Sequence, residues 1–125
     1  MEKVLKELVK NVKDNIPGYI AISVAEMASG ESLISDSIIS GFDPVLASAF
    51  NVEIIHSKRN AMKTLGLTNE KINDITFNLS EQTHVINLSP TGEYFIYLAV
   101  NSKKANVALT RTLLNKYKKD LIKQL

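Results

Sequence analysis

The chain has 125 residues, 45% of them hydrophobic and 22% charged, which is enough for one core, too short for two, and too apolar for a disordered chain. It contains no cysteine, so disulfide frameworks, thiolate metal sites and cysteine nucleophiles are excluded. The net charge is only +2, but residues 103–125 carry seven basic side chains against Asp120 alone, while the other 102 residues sum to −4. A basic end on an acidic body can attract an acidic partner or an anionic surface, or can simply be a solvated helix face.

Val4, Leu5, Leu8, Val9 and Val12 recur at helical spacing with Lys3, Lys6, Lys10 and Lys13 opposite, which predicts an amphipathic helix from about Glu2 to Asp14. That mixture has no unbroken apolar core, so no leader peptide is expected. Pro17-Gly18 stops the helix. Tyr19 to Met27 alternates, with Ile20, Ile22 and Val24 set against Tyr19, Ala21, Ser23 and Ala25, and reads as a strand. Its uncharged part, Tyr19 to Ala25, has about a third of the length a membrane helix needs, so membrane insertion is not expected. Ser29-Gly30 turns the chain into a short returning strand around Leu33-Ile34.

After a loop from Ser37 to Phe42, Asp43 can cap a helix and Pro44 suits its first position. The helix is predicted to run to Leu65 and stop at Gly66. Strands follow at Asp74–Leu79, Gln82–Leu88 and Tyr94–Val100, the last two joined by a turn at Pro90-Thr91-Gly92. A final helix is predicted from about Lys103 to Lys123, with Val107, Leu114, Leu121 and Leu125 on one stripe and Lys116, Lys119 and Lys123 opposite. The connections inside each strand group are too short for parallel crossovers. The expectation is therefore one domain over residues 1–125, an α+β sandwich with a five-stranded antiparallel sheet in the order helix, two strands, helix, three strands, helix.

The middle helix is apolar on more than one side. Leu46, Phe50 and Ile54, with Ala61 and Leu65 further on, make one stripe, and Val45, Ala49 and Val52 make a second. A helix lying on one sheet needs a single apolar stripe, so the second stripe predicts a partner, most simply an identical chain. The strand at Asp74–Leu79 has no Pro or Lys to blunt an edge and is a candidate for pairing between chains. The predicted dimer interface is Val45, Ala49, Val52 and Ile55 at its centre, with Ile75, Thr76 and Phe77 beside them.

Chemistry-bearing motifs are scarce. His56 and His84 are the two histidines, and no cluster has metal-ligand spacing. There is no nucleophile elbow and no glycine-rich phosphate loop. Arg59 and Arg111 are the two arginines; either could serve as an arginine finger for a bound GTPase, but Arg111 is expected to be tied to packing or ion pairing at the start of the last helix. A net charge of +2 with so little arginine is a poor nucleic-acid footprint. No catalytic residue, metal or cofactor is expected.

Four features together resemble the Roadblock / dynein light chain family, which is related to profilin-like and longin-like domains. They are Asn15-Ile16-Pro17-Gly18-Tyr19 leading into the first strand, Glu26 to Leu33 around Gly30, the long helix after Asp43-Pro44, and the run Asn106-Val107-Ala108-Leu109-Thr110-Arg111. The first hairpin turn departs from the family's usual acidic pair, carrying Ser29-Gly30 instead. The resemblance implies a homodimer or heterodimer with a similar domain, joined through the long helix and the third strand into one continuous sheet. It also implies a non-catalytic cytoplasmic adaptor, regulator or scaffold subunit that binds a small Ras-like GTPase. The alternative is a small-molecule sensor of the profilin or PAS kind, with a pocket between sheet and helix.

Overall fold

The computed structural model describes residues 1–124 and forms the predicted elements in the predicted order. They are α1 (Glu2–Asn15), β1 (Tyr19–Glu26), β2 (Ser32–Ser37), α2 (Pro44–Thr64), β3 (Asp74–Asn78), β4 (Gln82–Leu88), β5 (Tyr94–Asn101) and α3 (Val107–Ile122). The strands make one sheet in the order β2-β1-β5-β4-β3, antiparallel throughout, so β2 and β3 are its edges. The fold is a five-stranded antiparallel sheet with three helices.

The helices divide between the two faces. Leu5, Leu8 and Val12 of α1 and Leu114, Tyr117 and Leu121 of α3 pack with Ile22, Val24, Val85 and Leu98 on one face. On the other, Val52 and Ile55 of α2 pack with Ala21, Ala25, Ile86, Phe95, Tyr97 and Ala99. The three alanines leave room for α2 to lie close over the sheet.

Local chemistry explains the boundaries. Asp43 Oδ1 accepts from the backbone N–H groups of Val45 (2.9 Å) and Leu46 (3.1 Å), which caps α2 as expected. α3 begins at Val107, four residues later than the predicted Lys103, because Lys104 and Ala105 donate to the Asn101 carbonyl in a turn and Asn106 is the cap, accepting from Leu109 N at 2.9 Å. Leu125, assigned to the buried stripe from sequence, lies outside the described residues.

Two strands differ from expectation. β2 contains the expected Leu33-Ile34 and runs on into the predicted loop as far as Ser37. The alternation predicted for β1 breaks at Ile20, because Tyr19 opposes Val100 while Ala21 opposes Ala99. This bulge turns Ile20 and Ala21 to the α2 side, whereas Ile22 and Val24 face α1 and α3. Before it, Gly18 sits at φ 77°, and a Cβ there would meet the Asn101 carbonyl oxygen at 3.0 Å. Its own carbonyl accepts from Asn101 N at 2.7 Å, which fastens the start of β1 to the end of β5.

Candidate functional site: the outer side of α2 and the edge of β3

Helical geometry fixes which side of α2 meets the sheet. Pro44, Ser48, Asn51, Val52 and Ile55 are buried. Ser48 Oγ and Asn51 Nδ2 find no hydrogen-bond partner among the described residues, so this contact carries an unfavourable polar element beside its apolar one. The opposite side is apolar and uncovered. Phe50 is 64% exposed and Leu46 56%, with Val45 at 43% and Ile54 at 38% beside them. Four neighbouring exposed apolar side chains on one helix face form a patch of the kind that marks an interaction surface.

The predicted interface residues therefore divide. Val45 and Ala49 lie on the exposed side of α2. Val52, 9% exposed, and Ile55, fully buried, belong to the core of their own chain and are corrected to that role. The stripe of Leu46, Phe50 and Ile54, which the prediction left for the sheet, is the exposed one. Hydrophobicity alone misled here, because the true sheet-facing row contains Ser48 and Asn51 and does not read as apolar. What identifies it is phase: Pro44, Ser48, Asn51 and Ile55 lie three or four residues apart on one face.

β3 is an edge strand, and among the described residues no strand pairs with its outer side. Its register places Ile75 opposite Ile86 and Phe77 opposite His84, so both side chains join the α2-side cluster. Thr76, opposite Val85, projects to the other face. Leu88 N donates to the Asn73 carbonyl, and Leu79 N to the Gln82 carbonyl. Counting in twos between these bonds points the backbone groups of Ile75 and Phe77 toward β4 and those of Asp74, Thr76 and Asn78 toward the open edge. Thr76 thus contributes to that edge through its backbone.

The remaining polar groups serve the fold. Arg111 holds Asp74 through two bonds, Nε to Oδ2 at 2.6 Å and Nη2 to Oδ1 at 3.0 Å, tying α3 to the start of β3. Arg59 Nη2 donates to the Gly92 carbonyl at 3.2 Å. His84 lies edge-on between Phe42 and Tyr97, bonded to Gln82 Oε1 through Nε2 and to the Tyr97 hydroxyl through Nδ1. Burial holds its pKa below the ordinary histidine value and pushes the Tyr97 phenol up to about 12. An open pocket of about 470 Å³, lined by Met27, Tyr94, His56, Glu26 and Glu93 among others, lies beside α2 at the hairpin ends. Among the described residues no group of three or more His, Asp or Glu side chains is placed to hold a metal ion, and no helix is long and apolar enough to cross a membrane.

No protein-family model matches the sequence, and neither does any curated protein. Solved structures do match the fold over nearly the whole chain. Myxococcus xanthus MglB aligns at 11% identity with a TM-score of 0.76, covering 97% of this chain and 90% of that one. A Roadblock/LC7 domain from Streptomyces avermitilis aligns at 10% identity and 0.77, covering 99% and 96%. MglC from Myxococcus xanthus aligns at 22% identity and 0.62, covering 98% and 99%. These likenesses, together with the sheet order and the helix placement, establish that the chain has the Roadblock-type fold.

Proposed function

We propose that the chain is a non-catalytic adaptor or regulator that works as a pair of similar domains, joined through the outer side of α2 and the edge of β3. The observation that carries this reading is the exposed row of Val45, Leu46, Phe50 and Ile54 on α2, which among the described residues is the one helix packed on its sheet face. Burying such a row against its equal removes apolar surface from water on both copies, at about 25 cal/mol per Å². The bare backbone of β3 offers a second, directional contact. In this arrangement Val45 and Ala49 flank the centre, and Ile75, Thr76 and Phe77 stand at the joined edge. The partner regulated by the pair is a small Ras-like GTPase, a reading that rests on the family resemblance and on the fold shared with MglB.

Light scattering behind size exclusion tests the pairing. A mass near twice 13.9 kDa supports it, and a mass of 13.9 kDa at micromolar concentration rejects the homodimer. Capture of a Ras-like GTPase in one nucleotide state and not the other supports the regulatory reading. Equal recovery in both states, or none, rejects it.

A further inference from the structure

The lysine rows of the two remaining helices point the same way. α1 buries Leu5, Leu8 and Val12 against the sheet, which turns Lys3, Lys6 and Lys10 outward with Glu2, Glu7 and Asp14 among them, so most of the net charge of this face comes from α3. α3 buries Thr110, Leu114, Tyr117 and Leu121, which turns Lys116, Lys119 and Lys123 outward. Because α1 and α3 lie side by side on one face of the sheet, both rows share one surface. Residues 1–15 and 103–125 sum to +7 and the 87 residues between them to −5, with the acidic excess carried by strands and loops, since α2 itself is +2.

The α3 row carries one acid, the exposed Asp120, against its three lysines. Lys6 and Lys10 of α1 have Glu2 and Asp14 as partners, but among the described residues none of Lys116, Lys119 and Lys123 forms an ion pair. Arg111 is held by Asp74, and Lys118 is turned in to the Leu88 carbonyl at 3.0 Å, so the free positive charge of the row is all lysine.

We propose that this face docks on an anionic lipid bilayer surface. Lysine is a compact hydrated charge without the planar fork that recognises a single carboxylate or phosphate, and rows of it on the backs of two helices suit a diffuse anionic plane. Tyr117 is buried in the core, which leaves no aromatic platform on α3 for stacking nucleic-acid bases. Leu109, 42% exposed and on the same side of α3 as the lysines, supplies an apolar contact for the interfacial zone. Edge pairing through β3 about a two-fold axis normal to the sheet keeps both α1/α3 layers on one side, so the pair presents this charge twice. That doubling rests on the proposed pairing, whereas the face of the single chain does not.

The test is co-sedimentation of the full chain with phosphatidylcholine vesicles, with or without about 30% phosphatidylserine, at about 0.1 M salt. The expected result is sedimentation with the anionic vesicles only, released at about 0.5 M salt. Each lysine near such a surface contributes about fivefold to binding, so K116E/K119E/K123E should weaken it at least about 100-fold while circular dichroism stays unchanged. Absence of phosphatidylserine-dependent binding, or full binding by the triple variant, overturns the proposal. Capture of an acidic protein without vesicle binding also overturns it and assigns the face to that protein. A dimer that ignores vesicles defeats only the membrane docking, whereas a monomer that binds them defeats only the pairing.

Discussion

Phe50 and Ile55 are five residues apart on one helix, and their exposures, 64% and zero, give them opposite roles. Phe50→Asp places a charge where the free monomer meets water, so the monomer should stay folded and the pair should dissociate, seen as a mass falling to 13.9 kDa with an unchanged far-UV spectrum. Ile55→Asp instead buries an unpaired charge under α2 and should cost several kcal/mol, enough to unfold many small domains. If Phe50→Asp remains paired, the outer side of α2 is not the seam. His84 makes a second residue-scale prediction. Its pKa is lowered from 6.5 by burial, so below about pH 6.5 the unfolded chain takes up a proton that the folded chain resists. The stability associated with His84 is therefore complete above the unfolded value and declines as the pH falls below it. The groups its ring nitrogens bond to, Tyr97 and Gln82, supply no carboxylate to reverse that sign. The fall in melting temperature between about pH 7.5 and 5 should be smaller for His84→Gln than for the parent. An equal or larger fall in the variant would remove His84 from the account.

The boundaries of the elements were largely legible in the sequence, since Asp43-Pro44, Pro17-Gly18 and Pro90-Thr91-Gly92 act through local backbone chemistry that needs no tertiary context. The facing of α2 was not legible. Its outer and flanking stripes are apolar while its buried one contains Ser48 and Asn51, so ranking the stripes by hydrophobicity gives the wrong inside. The bulge at Ile20 was hidden for a related reason: β1 is buried on both faces, and a doubly covered strand shows no polar side to fix its phase. For β3, by contrast, knowing the register yields a test that composition alone could not. The N–H of Thr76 points to the open edge, so Thr76→Pro removes a donor facing outward and spares the ladder to β4. The variant should melt within about 1–2 kcal/mol of the parent yet pair more weakly, measured as a rise in the dissociation constant by sedimentation. Unfolding of Thr76→Pro would show that its N–H faces β4, and unchanged pairing would place the seam on α2 alone.

At the scale of the whole molecule, the sheet is covered unequally. Among the described residues two helices shield one face, and a single helix with a polar pair in its buried row shields the other. The more thinly covered side is also where the exposed apolar row lies, so its stability should depend on what is added to it. A chain that pairs only when folded gains stability by mass action, because its folded state alone binds the second copy. The melting temperature should then rise with protein concentration, by about 1.4 kcal/mol of added stability per mole of pairs for each tenfold once the pair is populated. Phe50→Asp should lose that dependence, melting at one temperature from low to high concentration and matching the parent only in the dilute limit. The three-lysine variant of α3 should keep the dependence in full, because its substitutions lie on the opposite layer from the seam. Scanning all three proteins over two decades of concentration separates the faces. A parent whose melting temperature ignores concentration would show that the apolar row of α2 contributes nothing between copies of this chain and would leave it to a different partner.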